Sequence, residues 1–267
     1  MRFFFILCML FSATLNAQVA NNGDTIFNQT DKQGLKQGYW KGYFENKKLR
    51  YTGYFKDNKP TGTFKRYYPD GQIRAVMAYS KDGSKAFATL YYQNGSKAAE
   101  GIYAGTLKDS VWNYYSYYDK TLAGKEKYVK GKKEGIAVNF YPSGKKSQEL
   151  EYKNDIKHGV WRQFYDNGSL KILAAYNNGK RTGDFVVNYP DGKPEWKGKY
   201  INDAKEGKWV NYNPDGSVSS EIEFVNGIAK NSEELNVKES KMLELIDKIK
   251  GSIPEPEENS FIPGSGM

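Results

Sequence analysis

This sequence predicts an all-β fold, an elongated antiparallel sheet of β-hairpin repeats finished by one C-terminal helix, and three observations carry that prediction. Gly38, Gly62, Gly135, Gly159, Gly183 and Gly207 lie on one 24-residue grid, with a single residue inserted between Asp109 and Glu134. A second aromatic recurs once per period, at Phe55, Tyr79, Tyr103, Tyr128, Tyr152, Tyr176, Tyr200 and Phe224. The stretches between are rich in Trp, Tyr, Phe and Val and broken by Asp-Gly and Asn-Gly pairs, the composition of strands and tight hairpin turns. Fixed periods of roughly 20 to 50 residues mark stacked supersecondary units that bury one another's faces.

Filling the grid gives eight units, opening at Gly38, Gly62, Ala86, Ser110, Gly135, Gly159, Gly183 and Gly207. We number them 1 to 8 and count positions from the opening residue. The run after the opening residue reads as a strand, because branched and aromatic side chains suit a pleated surface. It ends at turn signals such as Pro69-Asp70-Gly71, Asn94-Gly95, Ser143-Gly144, Asn167-Gly168, Asp191-Gly192 and Pro214-Asp215-Gly216. A second run, such as Lys171 to Tyr176, carries the later aromatic and ends at Asp82-Gly83, Lys130-Gly131, Asn178-Gly179 or Asn226-Gly227. Each unit is therefore one hairpin, and eight of them make a meander of about 16 strands, about 75 Å long at ~4.8 Å per strand. Alternation along the first strand sends positions 3 and 7, as in Trp40 and Phe44, to one face and position 6, as in Tyr43, to the other. Both faces then carry rings, which implies a twisted sheet with one face enclosed and the other partly open as a groove.

The ends read differently. Residues 1–17 begin with Arg2, continue through the apolar run Phe3 to Phe11 and finish at Leu15-Asn16-Ala17, the layout of a cleaved secretory signal peptide. That run is too short to span a bilayer, which needs roughly 20 apolar residues. Export to the periplasm, the cell surface or the medium is expected. Residues 18–33 form a short polar leader, and residues 34–231 the repeat domain. After Asn231 the grid stops, and Leu235, Met242, Leu245, Ile246 and Ile249 recur at helical spacing behind Ser232-Glu233-Glu234. We read 232–250 as a helix capping the open edge of the sheet, with a partner-binding helix as the alternative. Residues 251–267, with Pro254, Pro256 and several glutamates, read as a disordered tail.

Composition narrows the chemistry. Cys8, the only cysteine, lies in the signal segment, so the mature chain has no thiol for a disulfide, a nucleophile or a metal site. From Gln18 to Asn231 there are 35 Lys and Arg against 23 Asp and Glu, whereas the chain from Ser232 onward has 4 against 8. Such a basic surface suits anionic partners, including acidic glycans and the anionic envelope surface. The lysines are spread through the turns, as ordinary solvation would have them, and export argues against nucleic acid. His158 is the only histidine, so any triad or imidazole base would have to use it. It falls just before a unit-opening glycine, where Thr61, Lys85, Asp109, Glu134, Thr182 and Glu206 stand in other units, and reads as a turn residue. Asp70, Asp191 and Asp215 alternate with Asn94, Ser143 and Asn167 at one turn position, a set that shares a turn preference and not a charge. No catalytic, cofactor or metal residues are expected.

The most irregular stretch is Val111 to Tyr118, where Tyr117 and Tyr118 replace the turn pair of other units beside the inserted residue. Rings at a turn are poorly covered by strand packing, and they suit contact with a partner or a sugar. Trp112, Tyr114, Tyr117, Tyr118, Trp161 and Trp209 are the candidate partner-binding residues.

The unit motif Gly-x-Trp-x-x-Tyr/Phe-Tyr-x-Asp/Asn-Gly, best seen at 159 to 168 and 207 to 216, resembles the MORN-variant repeat of bacterial proteins. The resemblance covers residues 34 to 230; Ala88 and Ala137 stand where its aromatic is expected. It implies an antiparallel β-repeat used for binding and scaffolding, and proteins of this look include YwqK-type antitoxins, which neutralise a toxin partner. The first functional reading is a secreted or periplasmic non-enzymatic protein that binds another protein. The alternative is a glycan or cell-envelope surface module, because Trp and Tyr arrays also suit sugar stacking.

Overall fold

The computed structural model describes residues 26–230, which form one open antiparallel sheet of 19 strands with no helix among them. Sixteen are the two long strands of each unit, from Lys36–Tyr43 and Leu49–Lys56 in unit 1 to Ala204–Tyr212 and Val218–Val225 in unit 8. Short strands Gln29–Thr30 and Ile228–Ala229 lie at the two ends, and Lys132–Lys133 is split from Gly135–Phe140 at Glu134. Within the span read as a polar leader, Gln29–Thr30 pairs with Lys36 and Gln37. The signal segment 1–17, the capping helix 232–250 and the tail 251–267 lie outside the described residues.

In every unit but the fifth, where Gly135 begins a strand, the unit-opening residue is not a strand start but lies within one. Gly62, Ser110, Gly159, Gly183 and Gly207 sit at φ between 62° and 74°. The register with the preceding strand shifts around them, as between Thr52 and Tyr54 opposite Lys65 and Thr61. A bulge of this kind needs the left-handed region that glycine enters without penalty. Ser110 keeps that conformation without being glycine. Ala86 does not: Ala75 to Tyr79 pair continuously with Leu90 to Ala86. The residues released from the bulge lengthen the preceding turn, where Ser80 bonds Lys85, so the 24-residue grid survives. His158 and most of its equivalents lie within strands, Glu134 at the split being the exception, and the connecting turn comes just before, as at Asn154-Asp155 ahead of Ile156–Phe164.

Two kinds of turn alternate. Between units, pairs such as Asp57-Asn58, Asn154-Asp155 and Asn202-Asp203 both take positive φ, the two-residue turn whose twist matches the strands. Within units the longer turns hold Asp70, Asn94, Asn167, Asp191 and Asp215, whose carboxyl or amide oxygen accepts the backbone N–H two residues on. These acids are turn formers.

The core lies on one face. Position 3 rings stand edge-on to position 18 rings of their own and the preceding unit: Trp209 lies 5.1 Å from Tyr200 and 6.1 Å from Phe224. Trp112 lies 4.8 Å from Tyr103. Room comes from small residues opposite, since a Cβ at Gly198 would come within 2.2 Å of Trp209 Cδ2. Burying a ring of this size contributes about 1.5–3 kcal/mol. The core is in two parts, one from Phe64 to Tyr128 and one from Leu150 to Phe224. Position 7 tyrosines add a rung between units at the edge. The hydroxyls of Tyr68, Tyr92, Tyr141, Tyr165 and Tyr189 donate to the carbonyls of Tyr91, Tyr115, Phe164, Asn188 and Tyr212 at 2.6–2.9 Å.

Candidate interaction surface

The residues singled out from sequence separate into two groups. Trp112, Trp161 and Trp209 are 0%, 8% and 1% exposed and belong to the core, where the bulge and the small residues opposite enclose them. None of the three presents its ring at the surface of this fold. Tyr114 is part-buried, its hydroxyl 3.0 Å from that of Tyr128 and 2.9 Å from Lys108 Nζ. Tyr117 and Tyr118 are exposed, at 47% and 90%.

The inserted residue explains the last pair. Ser116 takes position 7 in unit 4, and its N–H reaches Thr121, one residue further than Tyr68 reaches to Gln72. Asp119 closes this longer turn by accepting the Thr121 N–H. Ser116 is too short to make the rung that tyrosine makes elsewhere. Tyr117 instead stands edge-on to Tyr92 at 5.1 Å, and Tyr118 edge-on to Tyr117 at 5.4 Å. Three phenols thus rise in a row along the long-turn edge.

Beneath this turn the two core parts meet at a polar joint. Ala137 replaces the position 3 ring of unit 5, and Glu126 stands opposite Trp112. Glu126 accepts from Tyr128 at 2.5 Å and pairs with Lys133 at 2.9 Å. Burial alone would raise the Glu126 carboxyl, but Lys133 and the phenol hydrogen bonds hold it below its ordinary value. Burial, with Tyr114 and Glu126 adding to it, pushes the Tyr128 hydroxyl far up.

Sequence reading also missed a row of cations. Lys36, Lys108, Lys133, Lys157, Arg181 and Lys205 recur two residues before a unit opening, at position 23 of a regular unit, each over an aromatic ring at 4.1–5.5 Å. The signal was present as a cation two residues before six of the eight unit openings, but as turn lysines these residues read as solvation. Cations lying on rings give cation–π stabilisation and cover the core edge. The outward face carries the exposed apolar side chains Phe87, Val111, Ile136 and Val160 at position 2 of units 3 to 6. Among the described residues no group of three or more His, Cys, Asp or Glu could hold a metal ion, and no helix is long and apolar enough to cross a membrane. His158 Nδ1 is buried without a partner, and no nucleophile is hydrogen-bonded to it.

Five segments match the MORN repeat variant, at residues 36–57, 60–81, 133–154, 157–178 and 205–226. They leave out units 3 and 4, with Ala86, Ser110 and the inserted residue, and most of unit 7. Comparison with curated proteins returns no significant match. The five matches support a MORN-repeat protein, and such repeats are generally non-catalytic modules that take part in binding.

Proposed function

We propose that this MORN-repeat chain is an exported, non-enzymatic protein that binds another protein through its uncovered face and the long turn of unit 4. The observation that carries this reading is the row Tyr92, Tyr117 and Tyr118, with Tyr117 and Tyr118 exposed at the one long turn that carries an extra residue. Tyrosine presents a large, stiff contact area with a polar tip, which is why it is enriched in protein interfaces. The exposed row Phe87, Val111, Ile136 and Val160 extends that surface over four units. Export rests on the charge and apolar run of residues 1–17. A glycan reading draws less support, because the indoles that would stack on sugars are enclosed in the core.

The test is crosslinking of the tagged chain in its own cells followed by mass spectrometry, repeated with the Tyr117→Ala, Tyr118→Ala double variant. One stoichiometric protein, lost in the variant, is the expected result; if that protein is toxic alone, the chain is its antitoxin. Recovery of wall glycan alone, or a partner indifferent to the variant, overturns the reading of this turn.

A further inference from the structure

Arg66 and Arg181 both reach core rings, but only one has an acid. Arg181 Nε lies 3.0 Å from Asp203 Oδ1, and its Nη1 donates to Tyr200 at 2.9 Å. Arg66 sits on the same face of unit 2, opposite Tyr51 on one side and Ala75 on the other. Its Nε is buried without a hydrogen-bond partner. The residue at Asp203's place in unit 2 is Asp82, and its carboxylate is taken by Ser80 and Ser84.

The surroundings of Arg66 are rich in donors. Arg50 and Arg74 stand one residue before its two cross-strand partners, on the strands to either side, and the charge of each acts on the Arg66 guanidinium. None of the three pairs with a carboxylate among the described residues. The Tyr79 hydroxyl finds only the Met77 sulfur, at 3.7 Å. Position 23 holds Pro60 and Ser84 here, so the cation row is interrupted beside Tyr79 and Tyr103, and Arg66 exerts its field on both phenols instead. Ala75, Ala88 and Ala99 are the buried neighbours in the sheet that clear the space. Burial and the neighbouring guanidiniums push Arg66 below its ordinary value, as happens to a cation lacking a counter-charge.

We propose that Arg66, flanked by Arg50 and Arg74 with Tyr79 as a further donor, is a binding site for a carboxylate presented by an acidic segment of a protein partner. Asp203 on Arg181 shows the ligand class within the same fold: a carboxylate accepts from the guanidinium Nε while a phenol hydroxyl accepts from its Nη1, and a planar carboxylate is the natural match for a guanidinium fork. The part-exposure of Arg66 and Arg74 and the exposure of Arg50 leave the approach open. The partner's identity as a protein rests on the function proposed above, whereas the carboxylate site can be tested without it.

The full chain is titrated calorimetrically with hexaglutamate at low salt, and separately with inorganic phosphate. Hexaglutamate should bind saturably and weaken as salt rises. Arg66→Gln should cost at least about tenfold in affinity and Arg66→Lys nearly as much, because lysine lacks the fork. Lys157→Gln, one of the cation row, should leave binding unchanged. If Arg66→Gln does not fold by circular dichroism, the Arg50→Gln, Arg74→Gln pair carries the same test on peripheral residues. Equal affinity in wild type and these variants, or no saturable binding, overturns the site; phosphate binding about tenfold tighter than hexaglutamate overturns the carboxylate assignment. Binding of hexaglutamate through Arg66 with no protein captured in cells would keep the site and remove the protein-partner reading. A captured protein indifferent to Arg66→Gln would do the reverse.

Discussion

The two halves of the sheet obey one repeat rule with different contents. The second core, Leu150 to Phe224, stacks Trp161, Phe185 and Trp209 under an unbroken run of Lys157, Arg181 and Lys205. The first, Phe64 to Tyr128, holds Ala75, Ala86, Ala88 and Ala99, and its cation row is interrupted at Pro60 and Ser84. The backbone pattern tolerates both, since bulge, turns and rungs are set by φ preferences and main-chain bonds and not by ring volume. The second half is thus built for packing, and the first leaves unmatched donors and exposed rings.

The largest change should come from Trp209→Ala. The ring is 1% exposed and touches Phe185, Tyr200 and Phe224, so its loss should cost about 3–5 kcal/mol. Hydrogen exchange should show the lost protection confined to units 5 to 8; equal loss in units 1 to 4 would mean that the joint at Glu126 does not separate the halves. Glu126→Gln acts at that joint itself, removing the carboxylate 2.9 Å from Lys133, and should cost about 2 kcal/mol by urea titration. Because the folded carboxyl is depressed, its contribution is fully present above the ordinary value of 4.5 and fades as pH falls through the lower folded value. The variant should lack that acid-side loss.

A smaller effect tests the edge. Tyr165→Phe removes one hydroxyl bond to Asn188 O at 2.8 Å and should cost about 1 kcal/mol, while unit 4, with Ser116 in that place, has no rung to lose. The smallest change is a gain: Ser110→Gly relieves a non-glycine residue at φ 62° and should raise stability by about 0.5–1 kcal/mol, read as a shift in the urea midpoint.

Much of this fold was legible because its constraints are local. Asp-Gly and Asn-Gly pairs report backbone angles directly, and a ring kept at the same place in all eight units can only be a packing site. The enclosure of Trp112, Trp161 and Trp209 was not legible, since alternation says which rings share a face but not which face closes. Nor was the bulge. A glycine at the head of each motif looks like a boundary, and only the shift of register between Thr52 and Tyr54 shows it inside a strand. The site at Arg66 depends on what is missing around it, at Ala88, Pro60 and Ser84, which is seen only once neighbouring strands are aligned.

The position 7 rungs have a mechanical meaning. Each ties a turn to the unit that follows, and a meander pulled from its two ends is loaded as a zipper, one strand pair at a time. Each unit that lets go would release 24 residues, about 80 Å of contour at ~3.4 Å per residue. Where Ser116 leaves the edge untied, the zipper has its softest tooth, so under tension the sheet would extend in steps, with the midpoint of the chain giving way as readily as its ends.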